Sequence, residues 1–307
     1  MIAVHRPTDP NAGALRWSYG EAFSRHRGLV AAAEQARLQR SRVAIAGLGG
    51  VGGVHLATLA RLGIGSFHIA DPDRFELANF NRQHGALLSS LGHRKVTVMD
   101  RQAHAINPEA DIRIFPEAIT SRNVAAFLDG VDVFIDGIDF FAIQTRRLLF
   151  REAQRRGIWA VTAGPLGFST AWLAFDPHGL SFDDYFDLAD GQDPREQLVA
   201  FAVGLAPRAT HLSYLDLAQV DLRSGRGPSV GLACQLCAGV AAAEVLKIVL
   251  GRGTVQAAPW YFQFDAYRQV LRKGYLRWGN RHPWQRLKRW WFRRQLQRAA
   301  AAREAHG

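Results

Sequence analysis

Short apolar runs alternate with longer amphipathic stretches over the first half of the chain. Val43–Ala46, Phe67–Ala70, Ile112–Phe115, Val131–Asp136 and Trp159–Thr162 are brief and apolar, as buried strands are. Between them, Val54–Leu62, Lys95–Ala105, Ser121–Leu128 and Gln144–Arg156 carry apolar residues at helical spacing. Gly63 and the pair Asn107-Pro108 supply helix stops. Ahead of these, Glu21–Arg40 reads as one helix with Phe23, Leu29, Val30, Ala33 and Leu38 as its apolar positions. This rhythm predicts an α/β fold, Rossmann-like, with a mostly parallel sheet and helices on both faces. After Gly164 the rhythm changes. Trp172–Phe175 and Trp260–Phe264 read as strands, Cys234–Leu250 as a helix, and the acidic, aromatic stretch Ser181–Pro194 as a loop or lid.

Composition adds a division. Of 38 Lys and Arg, twelve fall after residue 265, against one of the 27 acids, so this tail carries the whole formal charge of +11. Two units are therefore expected, residues 1–265 as a body and 266–307 as a basic, Trp-rich tail. No apolar run of about 18 or more residues occurs, which argues against a spanning helix. Met1 to Gly20 lacks the basic-then-apolar pattern of a secretory leader. Two cysteines cannot make a disulfide framework, and a reducing, cytoplasmic setting is expected.

The chemistry starts at Gly47-Leu-Gly49-Gly50-Val-Gly52, a G-x-G-x-x-G that follows a strand and opens a helix. Glycines let backbone amides approach phosphates, and the helix N-terminus adds positive dipole. Asp71, ending the second strand, is placed for ribose hydroxyls. These features alone suit NAD or FAD as well as ATP. Asn79, Asn81, Arg82 and Gln83 follow on the same sheet edge, and Lys95 opens the next helix. Two cations near a nucleotide suit a triphosphate whose pyrophosphate must leave, and hydride transfer needs neither.

Taken in order, "GLGGVG", "ADPDRFELANFNRQ", "GHRKV", "INP" and "DGIDFF" resemble the ThiF/MoeB family, relatives of ubiquitin-activating enzymes, over roughly residues 20 to 265. The resemblance implies a Rossmann-like homodimer that adenylates a carboxylate with ATP and Mg²⁺, typically the C-terminal glycine of a ubiquitin-like or sulfur-carrier protein or a peptide. Asp71 would bind ribose. Asn79, Arg82 and Lys95 would meet the phosphates beside Gln83, and Asp139 would hold Mg²⁺. Arg25, in "FSRH", would reach the partner subunit's ATP.

The chain departs from that pattern in places. Only one C-x-x-C pair is present, Cys234 and Cys237, so structural zinc is not expected; two thiolates do not fill a tetrahedral site. Buried helix residues is the preferred reading, with shared zinc, a redox pair or a thioester step as alternatives. Phe140-Phe141 follow Asp139 and read as core, the alternative being a channel wall. Asp183, Asp184 and Asp187 read as a solvated cluster or a contact for a basic partner, and nothing is assigned to His178 or His211.

In the tail, Trp284, Leu287, Trp290, Trp291 and Leu296 recur at helical spacing between basic residues. Over 281–303 this suits a peripheral membrane contact first, with docking on the body or an RNA contact as alternatives. The family also includes tRNA threonylcarbamoyladenosine dehydratases, an alternative the motifs do not exclude. An NAD(P)-dependent oxidoreductase and a non-catalytic nucleotide-binding scaffold at a membrane are the readings from other classes. The sequence names neither the carboxylate nor the final acceptor.

Overall fold

A computed structural model describes residues 17–216 and 227–304, with residues 296–304 placed by backbone alone. Residues 1–16, most of the stretch read for a leader pattern, and the Leu296 side chain lie outside the described residues. The elements run α1 (Tyr19–Ala22), α2 (Ala32–Arg40), β1 (Arg42–Ala46), α3 (Gly52–Leu62), β2 (Ser66–Ala70), α4 (Lys95–Ile106), β3 (Asp111–Phe115) and α5 (Val124–Phe127). They continue with β4 (Val133–Asp136), α6 (Ile143–Arg155), β5 (Trp159–Leu166), β6 (Ser169–Phe175), α7 (Phe182–Phe186), α8 (Pro194–Leu205), α9 (Gly231–Leu250), β7 (Trp260–Asp265), β8 (Val270–Tyr275) and α10 (Pro283–Glu304).

The strands form one eight-stranded sheet, ordered β3-β2-β1-β4-β5-β6-β7-β8. The first five are parallel, and β5 to β8 are antiparallel. Strand alternation sorts side chains into two cores, one per sheet face. Val43 and Ile45 of β1 and Val133 and Ile135 of β4 join α3, α4 and α9 on one face. Ala44, Ala46 and Phe134 join α5 to α8 on the other. The boundary drawn at residue 265 from charge falls in the β7–β8 hairpin.

Three expectations are corrected. The single helix over 21–40 is broken. After α1 a 3₁₀ turn spans Ser24–His26, Gly28 takes φ +92°, and α2 starts afresh with the Ala31 N–H donating to Glu34 Oε2. Ser181–Pro194 is no open lid. Its own Phe182, Tyr185 and Phe186, on α7, are buried, and Asp193 caps α8, which has Pro194 in its first turn. Asp183 accepts from Arg147 Nε at 2.9 Å, and Asp184 and Asp187 pair with Arg281, so the acids face the protein's own cations. Finally, although Gln235, Glu244 and Lys247 interrupt it as an apolar run, α9 is long and apolar enough by length and composition to cross a membrane. It packs instead on β5, β6 and α3.

His55 of α3 is buried with Nε2 lacking a partner among the described residues, and burial pushes its pKa down to about 4. The unfolded chain binds a proton there below about 6.5, whereas the native chain resists one until about 4. Stability is therefore expected to fall as pH drops from 6.5 to 4, by roughly 1 kcal/mol per unit from this group. Denaturant melts at pH 7 and 5 should show a shallower acid loss in His55→Leu than in the parent.

Candidate active site

The sheet's strand order reverses between β1 and β4, which opens a crevice beyond their C-terminal ends. The loop after β1 enters it at Gly47, whose φ is +84° and whose N–H donates to Ala70 O at 2.7 Å. No side chain fits here. A β-carbon on Gly47 would lie 2.2 Å from Gly137 O, and one on Gly52 would lie 1.7 Å from Gly47 O. The loop after β4 thus presses on the glycine loop, and α3 begins with its N-terminus toward the crevice. Gly49 and Gly50 line it.

Asp71, at the end of β2, is buried and ties the loop down. Its Oδ2 accepts from the Leu48 N–H at 2.7 Å and its Oδ1 from the Asp73 N–H at 2.8 Å. Burial raises its pKa, and Lys95 opposes the shift. The Lys95 ammonium is buried and paired with Asp73 at 3.0 Å. Arg82 donates from Nη1 to Ala78 O and Asn81 Oδ1. Asn79 accepts from the Glu76 N–H, so its side-chain oxygen holds the turn. Gln83 is buried beside Gly49, and its Oε1 has no partner among the described residues. All five residues line one cavity with Asp139.

Asp139 is exposed in that cavity, with Oδ1 accepting from the Phe141 N–H at 2.9 Å. Its loop is held by Arg146, which sequence reasoning had not placed. Buried on α6, Arg146 donates from Nε to Asp136 Oδ2 at 2.7 Å and from Nη2 to Ile138 O at 2.6 Å and Asp139 O at 3.2 Å. Its guanidinium also lies over the Phe201 ring at 4.4 Å. Thr162 Oγ1 donates to the same Asp136 oxygen. Phe140 and Phe141 are half-buried and line the cavity, Phe140 against Phe201. The expected core role is thus shared with a wall role.

The cavity encloses about 2340 Å³, well beyond the roughly 300–1,000 Å³ of common small-molecule sites. Its far wall comes from α8 and α10 through Arg195, Phe201, Lys288, Trp291, Phe292 and Arg293. Neither that wall nor α8 was anticipated, although Asp193-Pro194 is a helix-start signal. His211 lines the same wall, and burial lowers its pKa to about 4. Arg25 is exposed and is not among the residues lining this cavity. Cys234 and Cys237 are buried in the first core, and burial raises both thiols. Cys234 sits beneath Gly50, and Cys237 Sγ lies 3.1 Å from Thr170 Oγ1.

Comparison with known proteins matches residues 23–282 to the ThiF family. The chain is 32% identical to tRNA threonylcarbamoyladenosine dehydratase of Haemophilus influenzae over 44% of this chain and 51% of that protein. It is 30% identical to sulfur carrier protein adenylyltransferase of Thermus thermophilus over 39% of this chain and 45% of that protein. The chain spans about half the length of these curated relatives. Among solved structures it is similar to PaaA, with TM-score 0.64 and 19% identity over 88% of this chain and 77% of that one.

Removing Arg146 leaves the buried Asp136 carboxylate without its cation. Arg146→Ala is expected to cost about 3–5 kcal/mol in chemical denaturation. Replacing the whole pair, Arg146→Met with Asp136→Leu, should cost much less.

Proposed function

This chain belongs to the ThiF family, and from that premise we propose that it is an ATP-dependent adenylyltransferase that activates a carboxylate as an acyl-adenylate. One observation carries the reading. A glycine loop opening a helix, the cations Arg82 and Lys95, and the exposed Asp139 carboxylate converge on one cavity with room for more than a nucleotide.

In such a reaction a carboxylate oxygen attacks the α-phosphorus, a new P–O bond forms, and the bond to pyrophosphate breaks. Both reactants are anionic, so the site must neutralise charge and hold an in-line approach. The loop amides and Arg82 would cradle phosphates. Lys95 would exchange Asp73 for a phosphate oxygen. Asp71 would accept from ribose while still tying the loop. Asp139 would hold Mg²⁺, which would supply positive charge against the phosphates. One oxygen of Asp139 accepts the Phe141 N–H and the other accepts no hydrogen bond from a described residue, which would fit a single-carboxylate holder. No base is needed, since the nucleophile is already ionised.

A small-protein or peptide C-terminus is the substrate class favoured by the Thermus thermophilus relative, whose name states its substrate as a sulfur carrier protein. The similarity to a tRNA threonylcarbamoyladenosine dehydratase supports a second reading, in which the substrate is that modified tRNA base. A homodimer is also part of the proposal, with Arg25 reaching the partner's site.

Calorimetric titration should show binding of Mg-ATP and none of NADH. Arg82→Ala and Lys95→Ala are expected to lose about 10²-fold or more in carboxylate-dependent exchange of labelled pyrophosphate into ATP. NADH binding without ATP binding would sink the proposal. ATP binding with no exchange for any C-terminal glycine peptide or modified tRNA would leave a nucleotide-binding scaffold.

A further inference from the structure

A surface helix ordinarily turns its apolar stripe to the core and its charges to water. Over the residues of α10 whose side chains are described, the arrangement is reversed. The face toward the body is mostly polar, with the half-buried Phe292 as its apolar member. Gln285 is buried and donates to Val203 O and Asn280 Oδ1. Lys288 donates to Pro207 O at 2.6 Å, Arg289 to Asp187 at 2.7 Å and Arg293 to Glu196 at 2.7 Å. The face toward solvent carries Trp284, Leu287 and Trp290, exposed by 66%, 50% and 42%, with Trp291 at the cavity rim. Arg286 and Arg294 share that outer face, and the Arg294 guanidinium lies 4.1 Å from the Trp290 ring centroid. No acid interrupts it between residues 283 and 295.

Beside this face is a second cavity of about 490 Å³. It is lined by Arg281, Arg286, Arg289 and Arg293 with Asp187 and Glu196. Arg281, Arg289 and Arg293 are paired with acids, whereas Arg286 makes no ion pair with a described residue. A row of exposed tryptophans next to an arginine-lined cleft matches the two layers of a bilayer surface. Tryptophan rings favour the headgroup–acyl boundary, and arginines take the phosphates.

We propose that the outer face of α10 docks the protein on the surface of a bilayer rich in anionic lipid. The tryptophans and Leu287 enter the interface, and Arg286, Arg294 and the adjoining cleft hold lipid phosphates. Charge decides against the competing occupants. In a two-fold contact between copies, Arg286 and Arg294 would meet like charges, while the nearby Asp187 and Glu196 are already engaged by Arg281, Arg289 and Arg293. A nucleic-acid duplex would satisfy the arginines through its phosphates and leave Leu287 and the tryptophan rings uncovered. Because Lys288, Trp291, Phe292 and Arg293 of the same helix line the nucleotide cavity, docking would set that cavity's mouth beside the membrane.

The test is co-sedimentation of the full chain with phosphatidylcholine vesicles, with and without 30% phosphatidylglycerol. The protein should pellet with the anionic vesicles only, with a blue shift in tryptophan emission. Trp284→Ser/Leu287→Ser/Trp290→Ser spares every residue lining the nucleotide cavity and should weaken partitioning roughly ten-fold or more. Circular dichroism and Mg-ATP titration monitor its fold. Arg286→Glu/Arg294→Glu keeps the apolar row and should lose the preference for anionic lipid. Failure of the parent to pellet would overturn the proposal, as would undiminished pelleting of both variants. So would a fall in sedimentation mass on the triple substitution, which would make the face a contact between copies, or binding of tRNA without binding of vesicles.

Discussion

The site depends on two backbone loops occupying space that any side chain would fill. Gly47, Gly52 and Gly137 pack so closely that a β-carbon on any of them would meet backbone atoms at 2.4 Å or less. That contact draws the β4 loop against the β1 loop and sets where α3 can begin. It also makes the crevice at the strand-order reversal a fixed feature. The polar groups follow from it. Asp71 anchors the loop from the β2 side, and Arg146 anchors the opposite loop from α6, taking Asp136 and two successive carbonyls in one planar fork. Asp139 therefore projects into the cavity from a braced turn.

The parallel half of the fold was legible because each strand is a short apolar run bounded by glycine or by a helix-period stretch. Local rules carry that information, and β1 to β5 appear where the pattern put them. What failed was non-local. The acids of 183–187 looked solvated because their partners lie 36 to 102 residues away, at Arg147, Arg281 and Arg289. The first helix looked continuous because its breaker, Gly28, acts through a backbone angle that composition does not reveal. That the glycine loop, Asp71 and the two cations share one cavity was legible, since they are close in sequence. The far wall was missed because it is assembled from α8 and a helix near the chain's end.

The uneven charge also finds a physical account. The first 265 residues balance their charges, so the tail's cations cannot be neutralised by a general excess of acid. Instead Asp184, Asp187 and Glu196 meet selected arginines from the tail. These pairs fix how α10 is rotated, and the rotation decides which of its side chains the body covers.

One core helix arrives late. Cys234, Cys237, Ala238, Ala241 and Val245 of α9 close the same core as Val161, Ala163 and Ala174 of β5 and β6, yet follow them by some sixty residues or more. During synthesis, α3 and α4 can cover their part of that sheet face early, whereas its β5 and β6 end stays bare until α9 follows. At translation speeds of about 5–20 residues per second, that interval lasts several seconds. Over that interval the nascent chain offers a flat apolar surface to anything that binds one. Synthesis is then a stage at which apolar surface that the finished protein hides is open to aggregation.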